Sequence, residues 1–367
     1  MKKTAVFILI VILCNMSWVF AQEDIDLQME TAGVGEIDRA AEGAREFEPD
    51  FNFQEQVKKN VAGEASEESG TGLLSKILSL FLDSLKSGMS EMAKIMLAVL
   101  IFGIILRFIP EGTASEAAFY ATYAVLFAMA LFVFEKAATV GAEVIDEMNF
   151  FVKAAVPVMC SLAVPGGKFL SSAQTAGIIA GICVVTETAA RVLLPLTSMM
   201  AALSAANNLS NDMTLKGLER LIKRVIMWCI GITMTVFVSL LKIRGLTGSS
   251  LDNVAGKTVR FAVGNMVPVV GGIISDSLEN IISYSRAIQT GCGAVGIIAL
   301  IYMIIPPVMQ IAGMLVAFRI TGIVTSPVTD SRINGAIDNF SDILGLVLII
   351  TVVVCILFIT AMGSLAA

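Results

Sequence analysis

Residues 343–363 read ILGLVLIITVVVCILFITAMG, an uncharged run whose only hydroxyl side chains are Thr351 and Thr360. A bilayer core about 30 Å thick takes around 20 helical residues to cross, so this run predicts a transmembrane helix. The same test applied upstream picks out 95–109, 117–134, 169–186, 192–206, 225–241 and 294–318, which makes about seven spans. The first is short between its charges, but Lys94 and Arg107 can reach opposite interfaces with their long stems. Two more apolar runs, 154–167 and 261–275, are short and interrupted by Gly and Pro. Broken backbone at membrane depth is tolerated only where protein or water satisfies it, so these runs are read as re-entrant or interfacial segments. The composition agrees: 56% of residues are hydrophobic, 15% are charged and the mean hydropathy is +0.83. The expected fold class is an all-α polytopic membrane protein.

The chain before the first span divides into three parts. Lys2 and Lys3, the apolar run Ala5–Leu13 and the small residue Ala21 follow the grammar of a secretory signal peptide over 1–21, or of an uncleaved anchor. Residues 22–70 hold 14 Asp/Glu against 4 Lys/Arg, with scattered glycines and few large apolar side chains. Such a segment buries too little to offset its chain entropy and is expected to be an extracytoplasmic, disordered acidic head. Phe47, Phe51 and Phe53 stand out within it, either in a loose linker or in a segment that docks on a partner. Over 71–92, Leu73, Leu74, Ile77, Leu78, Phe81, Leu85, Met89 and Met92 share one helical stripe, which predicts an amphipathic interfacial helix. The transmembrane domain then occupies 93–367.

Several chemistries are excluded. The chain has no histidine, which removes Ser-His and Cys-His nucleophiles, His-ligated metals and imidazole shuttles. Its six cysteines stand singly in apolar stretches with no CxxC pair, so neither a zinc knuckle nor a redox dithiol is available. Gly256-Lys257-Thr258 mimics the end of a phosphate-binding loop, but Leu251 stands where that loop needs glycine. A net charge of −6 argues against nucleic acid. No catalytic residue, cofactor or metal site is expected, and the chain is read as a non-enzyme. Basic clusters at Lys216, Arg220, Lys223, Arg224 and at Lys242, Arg244, Lys257, Arg260 suit a lipid bilayer's anionic surface. They flank one span on both sides, so charge bias sets no topology.

Glu187 and Arg191, spaced i, i+4, interrupt a run otherwise uncharged from 169 to 211. They mark either a short turn between two spans at the interface or a buried ion pair on one helix face. Pro306-Pro307 sits in the uncharged stretch 287–318 and removes two backbone donors, which predicts a kinked or discontinuous helix. Gly177 and Gly181 form a GxxxG, and Gly291, Gly293 and Gly296 another narrow surface, both suited to close helix packing. Val156-Pro157-Val158 recurs as Val267-Pro268-Val269. Gly177 likewise recurs as Gly296 and Pro195 as Pro307, at offsets of 111, 119 and 112. This is a candidate internal repeat of the kind transporters carry, or a chance match between apolar sequences. Val267-Pro268 with Gly271-Gly272 is expected to form a bend before a helix starting near Ser275.

The stretch Leu241-Lys242-Ile243-Arg244-Gly245-Leu246, then Lys257 to Phe261, then Ala262 through Gly272 and Ser275-Asp276-Ser277-Leu278, resembles the stage III sporulation protein AE family. The resemblance covers roughly 73–367. It implies a polytopic subunit of the sporulation channel or secretion complex, in the mother-cell membrane surrounding the forespore. The implied partners are other membrane and ring proteins of that complex and a cytoplasmic ATPase. No catalytic residues come with the resemblance. A secondary transporter or permease is the alternative, on the strength of the repeat, the broken segments and the Glu187–Arg191 pair. A membrane-embedded enzyme is disfavoured by the absence of any convergent acid–base cluster.

Overall fold

Every apolar run that falls on described residues lies in a helix of the computed structural model, and the helices outrun those runs. The structure describes residues 27–63, 70–109, 112–164, 169–209, 217–239, 271–329 and 331–366. After helical residues 27–32 come α1 (Val34–Ala40), a 3-10 turn (Glu42–Glu46) and α2 (Phe53–Val61). The long helices follow: α3 (Gly70–Phe108), α4 (Thr113–Ala163), α5 (Phe169–Leu209), α6 (Gly217–Ser239), α7 (Gly271–Thr325) and α8 (Ser331–Ala366). These six are long and apolar enough to cross a membrane. No strand occurs among the described residues. The all-α membrane class is as expected.

Among the described residues six helices qualify where the sequence suggested seven runs, for a local reason. The runs 169–186 and 192–206 are halves of one helix, α5, with Glu187 and Arg191 near its middle. Hydropathy treats two charges as a boundary, but residues 182–194 contain no Gly or Pro to stop a helix. The i, i+4 pair itself supports helical geometry.

Contacts fix the direction of each helix. Lys76 near the start of α3 ion-pairs with Glu48 of the head, while Gly103 near its end lies against Val328. Arg332 at the start of α8 stacks 3.9 Å over Phe119 near the start of α4, and Val158 near the end of α4 faces Gly33 of the head. The Tyr123 hydroxyl of α4 donates to the Ala205 carbonyl of α5 at 2.8 Å, so these two are antiparallel. Asn207 and Glu219 join α5 to α6, whose far end packs Phe237 against Leu357 and Ala361 of α8. Ser285 of α7 donates to Gln28 of the head, and Gly322 lies beside Asp338 of α8. The six helices therefore alternate in direction. The head and the end of α8 lie at one end of the bundle, here the head end.

Two apolar cores stack along the bundle. The distal one joins α3, α4, α5, α6, α7 and α8 through Ile95, Phe134, Met200, Ile226, Phe318 and Ile343. The other joins the head to α4, α5, α7 and α8 through Phe53, Phe151, Ile179, Ile288 and Phe358. The acidic head is thus ordered over 27–63, contrary to expectation. Its aromatic residues dock on the chain's own helices: Phe47 lies 5.0 Å from Tyr302, Phe51 5.6 Å from Tyr302 and Phe53 6.1 Å from Phe151. Burial of these rings, together with Val34, Ile37 and Val57, supplies the apolar contact that the composition alone did not promise. Asp38 accepts from the Phe53 amide and pairs with Arg45, and Asn52 caps α2 by accepting from the Glu55 amide. The hydrogen bond from Lys59 holds the exposed Glu55 carboxyl below its ordinary range.

Glycine sets the closest helix approach. A Cβ on Gly313 of α7 would stand 2.8 Å from the Ser84 carbonyl of α3, and one on Gly88 would stand 3.1 Å from the Gly313 carbonyl. The GxxxG read from sequence does not pack in this way: Gly177 and Gly181 face open space. Of the second glycine group, Gly291 approaches Val57 and Val61 of the head and Gly296 meets Met362.

Candidate functional site

The polar cluster that the sequence located in part sits between α4 and α5, at the level of the head-end core. Asn149 and Lys153 lie one turn apart on α4, as Glu187 and Arg191 do on α5. Glu187 Oε2 accepts from Asn149 Nδ2 at 3.0 Å and from Lys153 Nζ at 3.2 Å, while Oε1 lies 2.6 Å from an Arg191 terminal nitrogen. The Arg191 side chain is 73% exposed and Glu187 is partly covered. Asn149 is buried, and its Oδ1 has no partner. Neither reading of the pair survives whole. It is not a turn, because α5 runs through it, and it is not a sealed pair, because it faces outward and ties α5 to α4.

Asn149 and Lys153 escaped the sequence reading. The available signal was Lys153 as the single cation between Lys136 and Lys168, on the same helical face as Asn149.

The proline positions are helical. Pro157 lies inside α4, so 154–163 is the end of a 51-residue helix and not a re-entrant segment. Buried Ala155, Val158, Met159 and Leu162 hold that turn against the head-end core, which outweighs one missing backbone donor. Pro306 and Pro307 are buried within α7, which continues through them instead of breaking. Met303 in one core and Ile311 in the other anchor the helix on either side of the pair. α7 begins at Gly271, ahead of Ser275, with Gly272 in its first turn. Pro268, the expected bend before it, the signal peptide 1–21, the loop-like Gly256-Lys257-Thr258 and the basic cluster at 242–260 lie outside the described residues.

Cys183, Cys292 and Cys355 are buried, as small apolar side chains would be. Among the described residues no group of three His, Cys, Asp or Glu is placed to hold a metal ion. The arrangement offers helix-to-helix ion pairing and an outward polar stripe on α4 formed by Glu143, Asp146 and Lys153. A family model described as stage III sporulation protein AE matches residues 51–367, from the aromatic group of the head to the last residue. The chain belongs to the stage III sporulation protein AE family. The resemblance read from residues 241–278 is thereby borne out.

A Bacillus subtilis (strain 168) relative named stage III sporulation protein AE is 22% identical over 246 residues. That alignment covers 66% of this chain and 62% of the relative, so the chain spans somewhat under two thirds of the relative it matches. No solved structure matches the chain. The matched family is one of sporulation proteins, and the six long apolar helices make this chain a membrane protein by their length and composition. The family match takes in Phe51, Phe53 and α2 but begins after Phe47, so it cuts through the docked head.

Proposed function

We propose that this chain is a non-catalytic membrane subunit of a sporulation channel or secretion complex in the mother-cell membrane around the forespore. The observation that carries the reading is the family match over 51–367. The proposed partners are the other membrane and ring proteins of that complex, with a cytoplasmic ATPase at one face. Isolation of the full-length chain from sporulating cells in mild detergent should recover these proteins with it, and deletion of its gene should abolish spore formation. Recovery of the chain alone, together with normal spore yield after deletion, overturns the reading.

A transporter is the second reading, and one observation favours it. α5 and α7, which carry the repeated Gly177/Gly296 and Pro195/Pro307, run in the same direction, and each is followed by a returning helix. Solute uptake by the purified chain alone in liposomes would favour this reading over the first.

Sidedness follows from the signal grammar. With a secretory signal cleaved after Ala21, the head end of the bundle faces the space between the two forespore membranes. Because Gln289 near the head donates to the Leu365 carbonyl, we infer that the end of α8 lies on that side too. A protease-cleavable tag after Ala367 should be cut from outside the mother-cell cytoplasm. Cutting from the cytoplasmic side only would refute this topology.

A further inference from the structure

The two sides of the α7–α8 pair differ at a single height. Gly345 lies beside Leu315 and Gly363 beside Ile297, an antiparallel register that sets Tyr302 level with Phe358. On one side at this height the head packs Phe47 and Phe51 against Tyr302. On the other, Phe237 of α6 packs against Leu357 and Ala361. At this height α6 turns outward Val236 and Val238, with Ile232 and Trp228 one and two turns further toward the distal end, and it carries no charge from Val225 to Ser239. At the same height the head turns outward Glu42, Glu46 and Asp50, and α4 turns outward Glu143, Asp146 and Lys153. Hydrocarbon accepts the first surface and rejects the second. Water accepts the second and leaves an extended apolar face on the first. A uniform belt of either solvent fits only half of the bundle.

We propose that the head–α4 side is one wall of a water-filled acidic passage at membrane depth, with α6 turned to lipid, and that the passage favours cations. This deepens the channel-subunit reading and rests on it for the copies or partner subunits that enclose the water. The wall is fixed in place. Phe47 and Phe53 are buried beneath it, and Lys76 of α3 both pairs with Glu48 and lies 4.9 Å over the Phe47 ring. The head is therefore a lining held against the helices, and its carboxylates stay at the height of Tyr302. Exposed carboxylates on a low-dielectric wall raise the local concentration of cations and lower that of anions.

Single cysteines in the full-length protein, in native membrane vesicles of both orientations, test the proposal. Phe150→Cys lies on the polar stripe of α4, where the native ring is 63% exposed, and Asp50→Cys lies on the exposed head. Val236→Cys and Val238→Cys lie on the outward face of α6 at the same height. Charged, membrane-impermeant methanethiosulfonate reagents should modify the first two and spare the last two, with the unsubstituted chain giving the background of its native cysteines. At Phe150→Cys the trimethylammonium reagent should outpace the sulfonate reagent by about tenfold beyond their ratio on a small free thiol. Modification of Val236→Cys as fast as Phe150→Cys would place this height in water all round and overturn the proposal. So would an unreactive Phe150→Cys beside a reactive Asp50→Cys in inserted protein, or equal rates for the two reagents. These failures leave co-isolation with the complex untouched, whereas loss of co-isolation with the labelling pattern intact would count against the assembly reading alone.

Discussion

Gly313→Leu should abolish the folded membrane protein, and Gly313→Ala should already lower its thermal stability. Even the single carbon of alanine would stand 2.8 Å from both the carbonyl carbon and oxygen of Ser84 and 3.0 Å from the Leu85 nitrogen. These are backbone atoms of α3, so no side chain can rotate away, and the two helices must separate. Separation also strains the reverse contact, in which Gly88 approaches the Gly313 carbonyl. Overpacking in a well-filled interior costs about 1–3 kcal/mol even where side chains can adjust, so a leucine here should exceed that range. Gly181→Leu is the matched control, because a Cβ at Gly181 meets nothing within 4 Å. Membrane level and detergent melting temperature of each variant read the effect. Equal melting of Gly313→Leu and the parent chain would show that α3 and α7 do not cross at this pair.

The contrast between those glycines shows what the sequence could and could not convey. Gly177 and Gly181 form a motif within one helix, visible in the sequence by spacing alone, yet they face open space. Gly88 and Gly313 have no local signature, because their closeness depends on how two distant helices cross. Helices themselves were legible, since an uninterrupted apolar run such as 343–363 satisfies its own backbone in hydrocarbon by forming a helix. Helix ends were less so. Charges at Glu187 and Arg191 and prolines at 157, 306 and 307 read as interruptions, but core packing on each side carried the helices through them. The site shows the same limit. Two of the four residues of the Glu187 cluster were evident from spacing on α5, while Asn149 and Lys153 became its partners only through the antiparallel pairing of α4 with α5.

The head carries the second large expected effect. Phe47→Ala combined with Phe53→Ala should release residues 27–63 from the bundle while leaving the six long helices inserted. Both rings are buried, Phe53 completely, and each contacts an aromatic partner on a different helix: Phe53 with Phe151 of α4, Phe47 with Tyr302 of α7. Truncating one buried phenylalanine costs about 3–5 kcal/mol, which for a docking equilibrium is roughly two to three and a half powers of ten. The Lys76–Glu48 ion pair, which ties the head to α3, is partly exposed. Pairs of that kind contribute about 0–1 kcal/mol each, too little to hold the head alone. Trypsin should then cut at Arg39, Arg45, Lys58 and Lys59 in the doubly substituted protein and spare these sites in the parent chain. Phe150→Ala serves as the control, since this neighbour of Phe151 points outward and contributes nothing to the docking surface. If docking also holds the acidic surface where cations pass, the double variant should lose the reagent preference expected at Phe150→Cys while keeping its membrane level. Protease resistance of residues 39–59 equal to that of the parent would mean that something other than these rings secures the head.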